Sequence, residues 1–214
     1  MHGRFDMKIL KKCLTVILTG VMLISTAGCL DMLPGQKSFN PDPDSEKIKG
    51  VFLLFGEEIS LPCTVADLTD KGFETDYQWD SDGMISMKPG TDLNKSGAPS
   101  HFYACIDREW ISKLEKNEKV TEDCVIAAIK FQDDSNVTFE LNDIEFGIPA
   151  EDFVNTFGKP AYEFDYGSQG YGRYYEGNNG CMYRFIFGYE KKLWNIMIAT
   201  PEYINWEINY LYHG

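Results

Sequence analysis

Cys63 and His101 are the pair of residues in this 214-residue chain best suited to covalent chemistry. A histidine that takes the proton of a cysteine thiol creates a nucleophile, and hydrolases use such pairs. No nucleophile elbow or oxyanion loop accompanies either residue, and a histidine that directly follows Pro99 and Ser100 is typical of an ordinary loop. A hydrolase-type enzyme that uses Cys63 and His101 is therefore the weaker hypothesis.

Other catalytic and ligand-binding patterns are missing from the sequence. Paired carboxylates such as those in "QDDSN" are too common in so acidic a chain to identify an acid and a base. There is no phosphate-binding loop, and no Gly-x-Gly-x-x-Gly segment leads into a helix. The turn "DSDG" at 80–83 lacks the remaining ligands of a calcium loop, and no Cys-x-x-Cys pair indicates zinc. We predict no catalytic residue, no metal site and no cofactor, and a chain that is not an enzyme.

An apolar run near the amino terminus has the pattern of a targeting segment. Three lysines at positions 8, 11 and 12 precede residues 13–27, which only threonine, serine and glycine interrupt. The run is short for a membrane-spanning helix of about 20 residues, but it suits the apolar region of a signal peptide. The next residues, "AGC" at 27–29, resemble a bacterial lipobox, although Thr26 stands where leucine is usual.

The lipobox resemblance implies a lipid anchor at Cys29. In such signals the small residues fit a dedicated signal peptidase, and the cysteine thiol carries diacylglycerol, with palmitate as a typical acyl chain. We predict that residues 1–28 are removed and that Cys29 tethers the protein to the extracytoplasmic face of the cell membrane, because two or three chains hold a bilayer firmly. A secretory signal with an accidental cysteine and an uncleaved amino-terminal anchor are the alternatives.

The chain is strongly acidic, which restricts its partners. It has 20 basic and 33 acidic side chains and a formal net charge of −13; removal of residues 1–28 takes away four basic residues and one acidic residue and leaves −16. Such a surface repels phosphate backbones and anionic headgroups. We predict no nucleic-acid partner. The predicted partners are the bilayer, through the Cys29 acyl anchor, and an envelope protein or wall component.

Four cysteines follow Cys29 in the sequence: Cys63, Cys105, Cys124 and Cys181. Four cysteines allow three disulfide connectivities, and spacing does not distinguish them. We favour small buried apolar residues as their role. If a disulfide forms, Cys105 with Cys124 is the first choice, since both lie in apolar, strand-like runs.

The remaining sequence predicts an α+β fold with antiparallel sheets and two short helices. Residues 29–50 have the composition of a flexible linker, and residues 51–145 form a first α+β unit with a helix that Thr64 caps. Strands are predicted at 75–80, 84–88, 101–107, 124–131 and 137–141, whereas 108–119 suits either a helix or a mobile loop. Residues 146–214 predict a helix from Ala150 followed by a three-stranded meander, so the two units could be a duplicated helix-plus-meander.

The segment "YEFDYGSQGYGRYYEGNNG" at 162–180 has the composition of a binding surface. Tyrosine gives a large contact area at a low cost in conformational entropy, and arginine and tyrosine are frequent in interfaces. The alternative is a long hairpin connection whose tyrosines alternate between the two faces of a sheet. The candidate partner-binding residues are Tyr166, Tyr171, Arg173, Tyr174 and Tyr175.

The stretch "GIPAEDFVNTFGKP" at 147–160, with the meander after it, resembles the helix and sheet of the β-lactamase-inhibitor-protein-like fold, which small outer-membrane lipoproteins of the SmpA/OmlA type also use. With "SLPCTVADLTDKGF" upstream, the whole arrangement is similar to lipoproteins of low-GC Gram-positive bacteria. Asp152 before Phe153 departs from the commoner Glu-Val. The resemblance implies a non-enzymatic binding or assembly role; an inhibitor of a secreted hydrolase is an alternative function.

Overall fold

The computed structural model describes residues 42–80, 82–94, 97–115, 119–165, 167 and 170–213. The helices in this part of the chain are α1 (Val65–Asp70), α2 (Arg108–Leu114), α3 (Ala150–Phe157) and α4 (Pro201–His213). The strands are β1 (Leu53–Leu54), β2 (Glu57–Glu58), β3 (Cys63–Thr64), β4 (Phe73–Trp79), β5 (Met84–Pro89), β6 (Phe102–Ile106), β7 (Val125–Gln132), β8 (Phe139–Glu140), β9 (Tyr162–Asp165), β10 (Tyr171–Glu176), β11 (Met182–Phe187) and β12 (Leu193–Ala199). The predicted signal peptide, Cys29 and Tyr166 lie outside the described residues.

One antiparallel sheet of nine strands organises the structure. Its order is β4-β5-β6-β7-β12-β11-β10-β9, and β3 pairs with the first residues of β7. A small second sheet has the order β2-β1-β8. The predicted α+β class with antiparallel sheets is confirmed, with four short helices in the described residues where the sequence predicted two.

The two predicted units share this one sheet. The first contributes α1 and then β4 to β7, the second contributes α3 and then β9 to β12, and the halves meet where β7 pairs with β12. Each half is therefore a helix followed by a four-stranded meander, in which β9 adds one strand to the three predicted for residues 146–214. The described residues all belong to a single compact unit.

The two faces of the sheet are covered differently. Side chains on the first face, among them Phe102, Ile129 and Phe185, form one core with Val65 of α1 and Phe153 of α3. Side chains on the second face pack under α4. In β11, for example, Met182 enters the core under α4 and the next residue, Tyr183, enters the core of the first face, as the two-residue period of a strand requires.

The helix starts follow the local rules that the sequence predicted. The predicted cap at Thr64 is a capping box: the Thr64 hydroxyl accepts a hydrogen bond from the Asp67 amide (3.1 Å), and the Asp67 carboxylate accepts one from the Thr64 amide (2.7 Å). Helix α3 begins directly after Pro149 and ends before Gly158, whose φ is +75°. The sequence left residues 108–119 open, and their first part forms α2.

The sequence did not predict helix α4. It begins after Thr200, whose hydroxyl accepts a hydrogen bond from the Tyr203 amide (3.3 Å), and it buries Tyr203, Ile204 and Ile208 against the sheet. Its mixture of aromatic, polar and apolar residues gives only a weak helical period. No helix within the described residues has both the length and the apolar character to cross a membrane.

The predicted flexible linker at 29–50 is wrong for residues 42–50, because these residues bind to the sheet and to the connection between α3 and β9. The Asp42 amide donates to the Ala161 carbonyl (3.0 Å), and the Glu46 amide donates to the Lys159 carbonyl (2.9 Å). The Ile48 side chain is buried in the core of the first face of the sheet. The polar composition of this segment concealed one apolar anchor and a set of backbone hydrogen bonds, which are independent of side-chain type.

We predict that Gly158→Ala lowers the free energy of unfolding by about 2 kcal/mol, because φ is positive there and a Cβ would collide with the Glu46 side chain. Gly147→Ala is the matched control: its φ is +82°, but a Cβ there meets no atom within 4 Å, so we expect a loss of about 1 kcal/mol. Urea unfolding of both variants measures the difference. Equal losses would mean that residues 42–50 do not pack against the end of α3.

Candidate binding depression

A shallow depression lies at the end of the sheet where β9, β10 and the β11–β12 hairpin come together. Its volume is about 540 Å³, and we call it the tyrosine depression. Its charged and aromatic lining consists of Glu163, Phe164, Asp165, Tyr171, Arg173, Tyr189 and Lys191. Two of the five predicted binding residues, Tyr171 and Arg173, therefore line one surface.

Arg173 is held in a fixed position within this lining. Its Nε donates to a Glu163 carboxylate oxygen (2.7 Å), and its Nη1 donates to the Ala150 carbonyl at the start of α3. The guanidinium carbon also lies 5.2 Å from the centre of the Tyr171 ring and 5.3 Å from that of Phe187. Contacts from β9, α3 and β11, together with Tyr171 on its own strand, thus fix the Arg173 guanidinium. Little side-chain entropy is therefore left to lose when a partner binds.

Tyr171 is half-buried beside this arginine. Its ring stacks on Phe187 with a centroid distance of 5.4 Å and an interplanar angle of 21°. Burial raises the pKa of the Tyr171 hydroxyl, and the nearby Arg173 charge opposes that rise only in part. The hydroxyl therefore stays protonated at neutral pH and can donate a hydrogen bond.

Tyr189 is the most exposed large apolar side chain of the described residues, with 90% of its surface accessible. It lies in the tight turn between β11 and β12, where the Lys191 amide donates to the Gly188 carbonyl (2.8 Å). A Cβ at Gly170 would collide with the Phe187 carbonyl, so glycine lets the β9–β10 connection approach this turn. This close approach brings Tyr189 into the same depression as Tyr171.

Tyr189 was not among the predicted binding residues, because "YEKK" at 189–192 has the pattern of a short polar turn between two strands. A large aromatic residue in a short turn has no opposite strand or helix to cover it. The position of this tyrosine in a short turn was therefore the feature of the sequence that could have indicated its exposure.

Tyr174 and Tyr175 are not surface residues, so their prediction as partner-binding residues is wrong. Both have 0% exposure, with Tyr174 in the core under α4 and Tyr175 in the core of the first face. The Tyr175 hydroxyl donates to the Gly158 carbonyl (3.0 Å). The alternative interpretation, in which successive tyrosines alternate between the faces of a sheet, is confirmed for this pair.

The structure does not bring Cys63 and His101 together. Cys63 pairs with Ile126 near the start of β7, whereas the His101 amide donates to the Ser135 carbonyl beyond the other end of that strand (3.2 Å). Six residues of strand separate the two levels, which corresponds to about 20 Å at a rise of about 3.3 Å per residue. The two side chains cannot act as nucleophile and base on one substrate atom.

The four described cysteines are free thiols. Cys105 lies in the core under α4 and Cys124 in the core of the opposite face, so the sheet itself separates the pair that was the first choice for a disulfide. Burial, with a smaller effect from the Asp67 carboxylate, raises the pKa of the Cys63 thiol to about 12. These findings match the role of small buried apolar residues that the sequence favoured.

The structure offers no metal centre among its described residues, where no group of three or more histidine, cysteine and acidic side chains is positioned to hold an ion. In the "DSDG" turn, the Asp80 carboxylate accepts hydrogen bonds from the amides of Asp82 (3.0 Å) and Met84 (2.9 Å). That carboxylate stabilises the turn itself.

We predict that Cys63 reacts slowly with iodoacetamide at neutral pH. A thiol with a pKa near 12 is almost wholly protonated there, and its alkylation rate should rise about tenfold per pH unit up to that pKa, because the thiolate is the nucleophile. Peptide mapping of the folded protein by mass spectrometry, with Cys63→Ser as the control, gives the rate. Rapid alkylation that levels off below pH 8 would contradict the burial of this thiol.

Comparison of the chain with models of protein families, with curated proteins and with solved structures finds no match. The resemblance of residues 147–160 to the β-lactamase-inhibitor-protein-like fold therefore stays a prediction.

Proposed function

We propose that this chain is a membrane-anchored extracytoplasmic lipoprotein with a non-enzymatic binding or assembly role. The observation that carries the binding role is the tyrosine depression, where an exposed tyrosine, a half-buried tyrosine and a fixed arginine share one surface. Residues of these types supply most of the binding energy in many protein interfaces. An envelope protein or a wall component is the partner class.

The rigidity of the depression supports this role. Tyr171 stacks on Phe187, and Arg173 is bound by two hydrogen bonds before any partner arrives. A partner therefore does not have to order these side chains, and more of the contact energy appears as affinity. An enzyme would instead need a nucleophile or base close to a reacting atom, and the pair that the sequence suggested lies about 20 Å apart along β7.

The proposed anchor is supported by the sequence of residues 8–29. Cys29 and Asp42 are thirteen positions apart in the sequence, a length of chain that spans at most about 45 Å when fully extended. Asp42 is already bound to the folded unit, through an ion pair with Lys159 (2.6 Å). A chain lipidated at Cys29 would thus hold the sheet close to the bilayer while its charge keeps the surface off anionic headgroups.

We expect the protein in the membrane fraction to begin at a lipid-modified Cys29 and to lack residues 1–28. Intact-mass spectrometry measures both features at once. The Cys29→Ser variant is the control and should retain the amino-terminal segment and carry no diacylglycerol. An unmodified Cys29, or a retained segment in the unchanged protein, would contradict the anchor.

We expect Tyr189→Ala to reduce recovery of a partner from detergent-solubilised envelope by about tenfold or more, as for a central interface tyrosine. Tyr77→Ala is the matched control, since Tyr77 is also exposed (37%) but lies on β4 at the other edge of the sheet. Both variants should unfold like the unchanged protein, because exposed side chains add little to stability. Equal recovery with all three proteins would refute the depression as the binding site.

A further inference from the structure

We propose that helix α4 separates from the sheet as an independent unit and thereby exposes an apolar strip, while the sheet and the core of its first face stay folded. The inference goes beyond the proposed binding function, because it concerns a surface that shares no residue with the lining of the tyrosine depression. The apolar strip is the sheet surface under α4, and its buried residues are Cys105, Ala127, Ala128, Tyr174, Met182, Met197 and Ala199.

The strands do not need α4 for their pairing. Within the described residues, the nine strands of the large sheet pair only with one another, so departure of α4 breaks no strand pairing. The core of the first face has its own helical residues, among them Val65 of α1, Leu114 of α2 and Phe153 of α3, and no described residue of α4 belongs to it. A unit with a separate core and no share in the sheet can open at a lower free energy than the whole domain.

Helix α4 covers the apolar strip with a small apolar surface. Its described buried side chains are Tyr203, Ile204 and Ile208. Three of the seven strip residues are alanines, which bury less apolar area than larger aliphatic or aromatic side chains do. The core of the first face, by contrast, contains seven buried phenylalanines. The hydrophobic stabilisation under α4 is therefore the smaller of the two.

Two further contacts of α4 involve a charge. The Glu207 carboxylate forms an ion pair with Arg184, which is 3% exposed. A buried ion pair adds little net stability because both charges lose water, and opening of α4 returns that water. The Arg108 guanidinium of α2 lies 4.8 Å from the centre of the Trp206 ring, but Arg108 is exposed, and such contacts are weak at exposed sites.

A single residue, Thr200, connects the strip to the helix, since β12 ends at Ala199 and α4 begins at Pro201. The Thr200 amide donates to the Ala127 carbonyl (2.8 Å), which holds the end of β12 on β7. Pro201 has no amide hydrogen with which to continue that pairing. Rotation about the Thr200 backbone therefore moves α4 as one body and leaves β12 in place.

Two cysteines report the two kinds of opening separately. Cys105 lies in the apolar strip and Cys124 in the core of the first face, and each is at most 1% exposed. Burial raises the pKa of the Cys105 thiol to about 11, and its hydrogen bond with Tyr203 of α4 opposes that rise only in part. Opening of α4 exposes Cys105 alone, whereas global unfolding exposes both thiols.

The test is alkylation of the full-length chain by iodoacetamide, in micelles of an uncharged detergent, at several urea concentrations below the unfolding transition. Peptide mapping by mass spectrometry gives the rates of Cys105 and Cys124, and each rate is divided by that of the same thiol in the unfolded chain. Three variants are compared with the unchanged protein: Glu207→Gln in the ion pair, Glu145→Gln at an exposed position as the charge control, and Ile129→Val in the core of the first face.

We expect Cys105 of the unchanged protein to react at least about tenfold faster than Cys124, with a weaker urea dependence because less surface is exposed. Glu207→Gln should raise the rates of both thiols about tenfold, because both openings break the ion pair, and Glu145→Gln should change neither. Ile129→Val should raise the rate of Cys124 about fivefold and leave that of Cys105 unchanged, because the core of the first face stays closed when α4 opens.

Equal rates and equal urea dependence of the two thiols in the unchanged protein would show that α4 opens only with the whole domain and would overturn the proposal. Acceleration of Cys105 by Ile129→Val would have the same consequence. An unchanged Cys105 rate in Glu207→Gln would also contradict the proposal, because the ion pair would then not hold α4 on the sheet.

Discussion

The pairing of β7 with β12 is the interaction on which the rest of the structure depends. Five residue pairs, from Asn195 with Gln132 to Ala199 with Ala128, join the last strand of each half into one sheet. Each half alone would expose the edge of a buried strand, and unpaired backbone groups in such an edge are costly. The second half, from residue 146 onward, is also near the size at which a separate core becomes marginal. The paired strands allow both halves to share two continuous cores.

Everything that shapes the tyrosine depression is fixed relative to this junction. Strands β11, β10 and β9 follow β12 in order, so the register of each pair sets the position of Tyr171 and Arg173. Helix α4 covers the second face of the sheet. Its Glu207 forms an ion pair with the buried Arg184 of β11, and the Asn195 side chain of β12 accepts a further hydrogen bond from that arginine (3.3 Å). Loss of one partner from such a buried pair is strongly destabilising.

Much of this fold could be predicted from residue types. The capping box at Thr64 and the helix Ala150–Phe157 depend on neighbours within a few positions, and short-range rules describe them well. The roles of Tyr174 and Tyr175 could not be predicted, because composition does not show which face of a sheet an element elsewhere in the chain will cover. Tyr189 and residues 42–50 were missed for a related reason: their exposure or burial depends on contacts between distant parts of the chain.

Hydrogen–deuterium exchange of the backbone amides, measured as a function of urea, tests the junction of the halves most directly. If β7 and β12 join both halves into one cooperative unit, the amides of β6 on one side and β11 on the other should exchange through the same global opening, with the same free energy and urea dependence. Two distinct free energies, one shared by β5 and β6 and another by β10 and β11, would show that the halves unfold separately and would contradict the account.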